Sequence, residues 1–380
     1  MSFELNMPGR IIFGTGSFER LSEQIARYGK RIFVICSASA VRAGFIERLK
    51  KQDSTLCYTV WDRVAGEPTP QSVDAAAAGA RASGCDAVLG LGGGSVLDTA
   101  KAAAALAVNG GSVEDYLEGV GRGAVITRKP LPFIAVPTTS GTGAENTKNA
   151  VISSAEKKYK KSFRHEMLLA SVALIDPALT VSVPPAVTAA CGMDAVTQLI
   201  ESYTSVKSNP VTEAWCAQGL KRAGSLLKAY RDGGDIGARE DMSLCSTLSG
   251  LALANSGLGA AHGFAAGLGA YRNISHGLAC AVLLPHIMRL NIPAATEKYA
   301  QVGRLLTGKP YPDDREAAKA SVEFIERLNA EMGIPSGLGF LNIAPEEAAG
   351  IAQASMGGSM KGNPVKLDAE AAKEYLLQLI

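Results

Sequence analysis

Residues 87–104 read AVLGLGGGSVLDTAKAAA, and this stretch decides the fold class of the chain. An apolar run passes through Gly92, Gly93 and Gly94 into an alanine-rich helical pattern, which Ser95 is expected to cap. A strand that turns through glycines into a helix suits a phosphate, because the backbone can approach closely and the helix start offers N–H groups. The spacing is not GxGxxG, so an ordinary tight turn stays open as the alternative.

Short β-branched runs alternate with amphipathic helical patterns over the first half of the chain. Such alternation predicts an α/β domain with a doubly wound, mostly parallel sheet. The strand candidates are residues 10–14, 31–36, 56–62, 87–92, 132–138 and 171–176, and the helical patterns are residues 17–28, 40–51, 71–83 and 95–108.

The strand signals stop near the paired prolines Pro184 and Pro185, and long helical patterns follow them. The length of 380 residues also exceeds what one hydrophobic core normally serves. We therefore expect two domains. Residues 1–183 would form a dinucleotide-binding α/β domain, and residues 184–380 an all-helical domain that binds metal and substrate.

Charge and composition exclude several classes of function. A formal net charge of +2 favours neither nucleic acid nor a membrane surface as partner. The sequence shows no signal-peptide plan and no apolar run of about 18 residues. Its seven cysteines form no CxxC pair, which is typical of buried thiols in a reducing compartment. We expect a soluble, cytoplasmic protein.

A second loop of the same kind is VPTTSGTGAEN, residues 136–146, where another strand candidate turns through Thr, Ser and Gly. Ligands bind at the carboxyl ends of strands in open α/β sheets, so two such loops favour a dinucleotide. The second strand candidate ends with Ser37 and Ser39 and no acid. Without a carboxylate there, a 2′-phosphate is not repelled, which leans the cofactor toward NADP(H) or dual use. Asp115 lies about 20 residues after the first glycine loop, the offset at which a Rossmann fold places an acid that binds the ribose. It does not follow a strand, however, and is interpreted as a surface or helix-start residue.

A metal site is suggested by two segments of the helical half. Asp194 and Gln198 lie one turn apart in CGMDAVTQLIESY, residues 191–203, so their side chains share a face. His262 and His276 lie 14 residues apart in a glycine-rich segment. Two imidazoles, a carboxylate and an open position are the composition of a catalytic divalent site. Two buried structural histidines are the alternative, because this spacing alone is not diagnostic.

Taken together, these motifs resemble the iron-containing alcohol dehydrogenase family over almost the whole chain. The resemblance implies an N-terminal dinucleotide domain, a helical metal domain, and hydride transfer in the cleft between them. The matching stretches are FGTGS (13–17), GGGSVLDTAKA (92–102), PTTSGTGAENT (137–147), LIDPALT (174–180), GMDAVTQLIES (192–202), HGFAAGLGA (262–270), SHGLACAVLLPH (275–286) and NP (363–364).

The resemblance also implies roles for individual residues. Gly93, Gly94 and Ser95 would bind the pyrophosphate, and the metal ligands match at Asp194, His262 and His276. Asn149 would stand near the substrate together with Lys160, which would also reach the ribose. The remaining cofactor-binding residues would be Asp98, Thr138, Thr139 and Thr142.

Two departures from the family pattern concern the metal site and the proton path. The usual second metal ligand, a histidine, is Gln198 here, and a histidine often assigned to proton relay is Ala266. Gln198 could donate its amide oxygen to the metal, hydrogen-bond a metal-bound water, or fill space. Related glycerol dehydrogenases and dehydroquinate synthases use one acid and two histidines, which this chain keeps. Exchanging imidazole for oxygen or water should lower affinity for Fe(II) and permit Zn(II).

The expected function is NAD(P)-dependent hydride transfer between nicotinamide and a small alcohol or aldehyde, with a divalent metal that polarises the substrate oxygen. The first alternative is a metal-independent reductase resembling maleylacetate reductases. The second is a nucleotide-binding protein without catalysis. The resemblance also implies a homodimer, which an edge strand near the N-terminus would suit, and we expect no partner other than the small-molecule substrate.

Overall fold

The computed structural model describes residues 2–380, and they divide into two compact units. The α/β unit comprises residues 6–139 and 143–183, and the helical unit comprises residues 2–5, 140–142 and 184–380. The main division falls between Val183 and Pro184. A helix begins at Pro185, the position that proline favours because its fixed φ suits the first helical residue.

The α/β unit is built on a six-stranded sheet whose neighbouring strands are all parallel. Its order is β1-β8-β5-β4-β2-β3, so the predicted parallel, doubly wound sheet is confirmed. The central strands are buried almost throughout, as expected for a sheet covered on both faces. The strands are β1 Ile11–Phe13, β2 Arg31–Ser37, β3 Cys57–Val64, β4 Ala87–Gly92, β5 Phe133–Pro137 and β8 Val172–Ile175.

An antiparallel hairpin of β6 (Asn149–Ser154) and β7 (Tyr159–Arg164) was not predicted from the sequence. Its second strand reads YKKSFR and so carries two consecutive lysines, Lys160 and Lys161. Tyr159 and Phe163 are buried while the lysines between them are less so. The charge of the lysines masked the apolar pattern of this strand, which has only one buried face.

The helices of the α/β unit follow the predicted patterns with two interruptions. Residues 17–28 begin with a 3-10 turn, and residues 40–51 divide at Gly44, whose φ of 75° ends one helix before the next begins. The helices are α1 Leu21–Ile25, α2 Ala38–Arg42, α3 Phe45–Gln52, α4 Pro70–Ser83 and α5 Gly94–Asn109.

The helical unit packs its helices around an apolar core in which α6, α9 and α11 are central. Alanine, leucine and methionine side chains fill this core. The helices are α6 Pro185–Thr204, α7 Pro210–Leu220, α8 Ser225–Arg231, α9 Ile236–Ser256, α10 Ala260–Tyr271, α11 His276–Thr307, α12 Asp314–Glu331, α13 Ala348–Ser355 and α14 Ala369–Leu377.

Helix α11 is long and apolar enough, by length and composition alone, to cross a membrane. However, 56% of its most apolar window is buried inside the protein, where it packs against α6 and α12. It also contains Pro285 and Pro293, and its backbone is kinked at Ala295. These features identify α11 as a core helix of the helical unit.

Candidate active site

Four side chains of the helical unit converge on one point. Asp194 of α6, His262 of α10, and His276 and Cys280 of α11 place one ligand atom each within 4.8 Å of all the others. His262 Nε2 lies 3.2 Å from Asp194 Oδ1, and His276 Nε2 lies 3.9 Å from the same oxygen. Cys280 Sγ lies 3.8 Å from His276 Nε2. Three helices thus bring together the three ligands expected from the sequence, and a thiol.

These separations fit a single divalent ion. Tetrahedral zinc with ordinary bond lengths sets N and O ligands about 3.3 Å apart and N and S ligands about 3.6 Å apart. The distances from Asp194 Oδ1 to His262 (3.2 Å) and His276 (3.9 Å), and from Cys280 to His276 (3.8 Å), lie within about 0.6 Å of these values. Two imidazoles, a carboxylate and a thiol are also donors that first-row divalent metals accept. The residues present therefore fit a metal ion.

Glu201 holds His262 in place. Its Oε2 lies 2.6 Å from His262 Nδ1, and its Oε1 accepts a hydrogen bond from the backbone N–H of Ala261 at 2.7 Å. A carboxylate on Nδ1 keeps the proton there and turns Nε2 toward Asp194, which is how histidine ligands are usually oriented. Glu201 was not predicted as a site residue, although its spacing of two helical turns from Asp194 places it on the same face of α6.

The charges of the cluster also call for a cation. Asp194 and Glu201 are both almost fully buried, and buried carboxylates require compensating positive charge. Burial lowers the pKa of His262, but Cys280, Glu201 and Asp194 raise that pKa well above its usual value. Burial raises the pKa of Cys280 to about 11. A proton on His262 or a divalent ion supplies the required charge, and a metal deprotonates a coordinating thiol outright.

Gln198 lies one turn after Asp194 on α6, as expected, but its amide is engaged by protein groups. Ser249 Oγ of α9 donates to Gln198 Oε1 at 2.6 Å, and Gln198 Nε2 donates to the carbonyl oxygen of Thr142 at 3.4 Å.

Ala266 of α10 carries no group that could relay a proton. Cys280 was not singled out from the sequence, although it follows His276 by the same four-residue spacing that relates Gln198 to Asp194.

The two glycine-containing loops of the α/β unit lie side by side. Thr138 N donates to the carbonyl oxygen of Gly92 at 3.0 Å, and a Cβ built on Gly93 would lie 3.3 Å from Thr139 Oγ1. Gly93 is the N-cap residue of α5, which begins at Gly94. Ser95 therefore lies inside the first turn, and the prediction that it caps the helix is wrong. A glycine cap leaves the first N–H groups of the helix to other partners.

The strand order places these loops at a topological switch point. The chain passes from β2 to β3 at one edge of the sheet and then returns to the other side of β2 as β4. Ligands of open α/β sheets bind at the carboxyl ends of the strands that flank such a reversal. Those ends carry Ser37 on β2 and the glycines after β4. Ser37 Oγ caps α2 by accepting from Ala40 N and lies 2.7 Å from Ser39 Oγ.

Two family models match consecutive parts of the chain. The model described as iron-containing alcohol dehydrogenase matches residues 8–177, and its C-terminal counterpart matches residues 188–379. The chain belongs to the iron-containing alcohol dehydrogenase family. The resemblance stated from sequence motifs is thereby confirmed, and the protein is an oxidoreductase of this family.

Individual members of the iron-containing alcohol dehydrogenase family agree with this assignment. Long-chain-alcohol dehydrogenase 1 of Geobacillus thermodenitrificans is 40% identical over 89% of this chain and 88% of its own. A solved 1,3-propanediol oxidoreductase superposes with a TM-score of 0.93 at 29% identity, and all of each chain is covered. The sulfoacetaldehyde reductase of Bifidobacterium kashiwanohense, solved with NAD+, gives a TM-score of 0.90 at 29% identity over 100% of this chain and 99% of its own.

Asp98, expected at the cofactor, is held by groups of its own unit. Its Oδ2 accepts a hydrogen bond from Val151 N at 2.9 Å, and its Oδ1 lies 3.6 Å from the buried Lys101 Nζ. Lys101 Nζ in turn donates to the carbonyl oxygen of Asn149 at 2.6 Å. Asp98 thus connects α5 to the hairpin strand β6.

Asn149 and Lys160 are not brought together. Lys160 pairs with Ser153 across the hairpin, and Asn149 lies four residues away from Ser153 on β6. That is about 14 Å along the strand. Lys160 forms an ion pair with Glu67. Asp115, interpreted as a surface or helix-start residue, lies in a short 3-10 helix whose N-cap is Ser112. Its Oδ2 accepts a hydrogen bond from the backbone N–H of Ser112, and it forms an ion pair with Arg122.

Proposed function

We propose that this chain is an NAD(P)-dependent alcohol dehydrogenase that works chiefly as an aldehyde reductase, with Asp194, His262 and His276 as ligands of a catalytic divalent metal. The observation that carries this proposal is the cluster of four metal donors in the helical unit, one of which, His262, is oriented by a buried carboxylate. Residues 1–183 would bind the dinucleotide, and residues 184–380 would hold the metal and the substrate oxygen.

The chemistry divides between the metal, the cofactor and the protein. A divalent ion bound to this cluster supplies Lewis acidity to a carbonyl or alkoxide oxygen. The nicotinamide supplies or accepts hydride. The protein contributes orientation: Glu201 fixes the His262 ring, and α10 and α11 pack in an apolar core. Because Ala266 cannot carry a proton, the alcohol proton would reach solvent through water or the cofactor ribose.

The cofactor site would be formed by both loops at the switch point. Gly93, Gly94 and Ser95 would bind the pyrophosphate with the free N–H groups at the start of α5. Asp98, Thr138, Thr139 and Thr142 would complete it, and Lys160 would approach the ribose. Ser37 supports use of NADP(H), alone or beside NAD(H), because it places no carboxylate at the end of β2. Asn149 is proposed as a substrate contact.

The metal itself would be Fe(II) or Zn(II). The second candidate function is a metal-independent reductase, and the specific observation in its favour is the protein-engaged amide of Gln198, at the position of a ligand histidine. The retained cluster weighs against it, because buried acids and histidines are costly to keep together without a charge to balance them.

We also propose a homodimer in the cytoplasm. Strand β1 lies at an edge of the sheet and exposes 36% of Ile11 and 39% of Phe13, which suits strand pairing between two chains. None of the seven cysteines, all of which lie within the described residues 2–380, is joined in a disulfide, which suits a reducing compartment. Analytical ultracentrifugation of the protein and of Phe13→Lys tests the dimer, which should dissociate in the variant.

The activity is tested by following NADH and NADPH oxidation over a panel of small aldehydes, diols and semialdehydes. We expect reduction of at least one aldehyde, and loss of about 100-fold or more in kcat/KM in Asp194→Asn and His262→Asn. His165→Asn is the matched control, because His165 lies in the α/β unit outside the cluster. Tight cofactor binding without turnover over the whole panel would instead indicate a non-catalytic nucleotide-binding protein.

A further inference from the structure

The metal cluster contains one donor more than the sequence pattern of the family accounts for. Resemblance to the family implies four protein ligands, one of which is replaced by Gln198. We propose that the thiolate of Cys280 is the fourth protein ligand of the metal and takes over the role of the missing histidine. This inference rests on the proposed metal-dependent function and names the ligand that completes its site.

The position of Cys280 supports this role. Its Sγ lies 3.8 Å from His276 Nε2 and within 4.8 Å of the donor atoms of Asp194 and His262. His276 and Cys280 are one turn apart at the start of α11, so both side chains point to the same face. The resemblance implies two ligands one turn apart on α6, at positions 194 and 198. Here the pair one turn apart would instead be His276 and Cys280 on α11.

The surroundings of the other buried cysteines differ. Cys245 Sγ donates to the carbonyl oxygen of Gly219, and Cys85 Sγ donates to that of Ala80, as expected of small core residues that satisfy a weak donor. Cys280 instead lies among two imidazoles and a carboxylate. A thiol placed only to fill apolar space would gain nothing from these neighbours.

Gln198 is already engaged by protein groups, so the site does not depend on it for a fourth ligand. Its amide oxygen already accepts from Ser249, and its amide nitrogen is directed at the carbonyl oxygen of Thr142. These contacts give Gln198 a structural role that links α6 to α9 and to residues 140–142. A ligand contributed by α11 leaves them intact.

A thiolate ligand has a chemical consequence. When the metal binds, the thiol loses its proton to solvent and a metal–sulfur bond forms, with no change of oxidation state. Soft thiolate favours Zn(II) over Fe(II). Zinc also accepts five ligands during catalysis, so a fourth protein donor is compatible with turnover. A preference of this protein for Zn(II) over Fe(II) follows from the thiolate ligand.

The test uses Co(II), whose visible bands report binding and whose near-ultraviolet sulfur-to-metal charge-transfer band reports a thiolate ligand. The full-length protein is stripped with chelator and titrated with Co(II). We expect the charge-transfer band in the wild type and in Cys57→Ser, whose cysteine is exposed in the α/β unit. Cys280→Ser and Cys280→Ala should lack it while they keep visible bands, with Zn(II) affinity lowered about 100-fold or more.

A rescue variant separates loss of a ligand from loss of structure. If Cys280 replaces the missing histidine, then Gln198→His should restore most of the Zn(II) affinity that Cys280→Ser removes, in the double variant. Thermal unfolding of each variant checks that it is folded. Visible cobalt bands without a charge-transfer band in the wild type would overturn the role of Cys280 and leave the metal-dependent function standing. Failure of the wild type to bind cobalt would overturn both.

Discussion

Glu201 Oε2 lies 2.6 Å from Nδ1 of His262, and both side chains are almost fully buried. The second oxygen of the same carboxylate accepts from the N–H of Ala261, beside His262 in the first turn of α10. One carboxylate therefore satisfies two donors and fixes both the tautomer of the imidazole and the position of the helix that carries it. We assign Glu201 as a positioning residue for the metal site.

The substitution Glu201→Gln should weaken metal binding. An amide offers only one acceptor oxygen, so its NH2 group would face either His262 Nδ1–H or Ala261 N–H, both of which are donors. We expect Zn(II) affinity to fall about 10–100-fold, as measured by competition with a chelator of known affinity.

Glu213→Gln is the matched control for Glu201→Gln. Glu213 lies in the same unit, but its carboxylate pairs with Lys298 and Ser208. Its loss should leave metal affinity unchanged. Equal affinities in Glu201→Gln and in the wild type would show that the contact with His262 does not orient a ligand.

The cofactor preference should respond to a charge at Ser37. Ser37→Asp keeps a side chain that can cap α2, because aspartate is as good an N-cap as serine. It also adds a carboxylate where a 2′-phosphate would lie and where ribose hydroxyls could be bound. We expect kcat/KM for NADPH to fall about 100-fold, while that for NADH is kept or rises.

Ser37→Ala serves as the control for this change, since it removes the cap without adding charge. Steady-state kinetics give kcat/KM with NADH and with NADPH for the wild type and both variants. A wild type that already rejects NADPH, or an aspartate variant that still prefers it, would remove Ser37 from the cofactor site.

Gly93→Ala should weaken dinucleotide binding without unfolding the protein. The new methyl group would lie 3.3 Å from Thr139 Oγ1, so it would push apart the two loops that are proposed to hold the pyrophosphate. Loss of one charge-assisted hydrogen bond corresponds to an increase of about 10-fold in Kd. Fluorescence titration with NADPH measures it. Gly337→Ala, which adds a methyl group in open space, should bind normally.

Glu145 should make stability depend on pH. Burial raises the pKa of its carboxyl from 4.5 to about 7. The folded protein therefore binds this proton more tightly than the unfolded chain does. Its contribution to stability is greatest at the acid end of that window and declines as pH rises from 4.5 to about 7.

Glu145→Gln removes this titration and keeps an oxygen for Asn146 Nδ2, which donates to Glu145 Oε1 at 3.0 Å. The free energy of unfolding of the wild type, measured in urea relative to the variant, should fall by up to about 3 kcal/mol across the window. Ionisation of the metal cluster in the helical unit affects the wild type and the variant equally, so it cancels in the difference between their free energies of unfolding. Parallel pH profiles for the two proteins would mean that Glu145 is ionised in the folded state.

The sequence predicted the parallel sheet well, because β2, β4 and β5 are uninterrupted apolar runs that only a strand covered on both faces explains. The β6–β7 hairpin was missed because Lys160 and Lys161 stand between Tyr159 and Phe163, and their charge outweighs the apolar signal of the strand. Asp194, His262 and His276 could be found because acids and histidines are rare in an alanine- and glycine-rich segment.

Glu201 and Cys280 could not be found in the same way. Each has a helical spacing to one ligand, but its role depends on which helices meet in the core. Glu201 contacts a residue that is 61 positions away in the chain. Spacing within α6 or α11 does not contain that information, whereas the packing of α6, α10 and α11 does. The contacts of Gln198 could not be predicted either, because its partners Ser249 and Thr142 lie far away in the chain and approach it only in the folded protein.

Metal content is the most direct test of the central claim. The protein is purified anaerobically without chelator, analysed for zinc and iron, and assayed for aldehyde reduction before and after chelation. We expect about one zinc or iron per chain, absent from His276→Ala, and an activity that chelation abolishes and added divalent metal restores. Protein that lacks bound metal and reduces aldehydes equally well in chelator would contradict it and establish a metal-independent reductase.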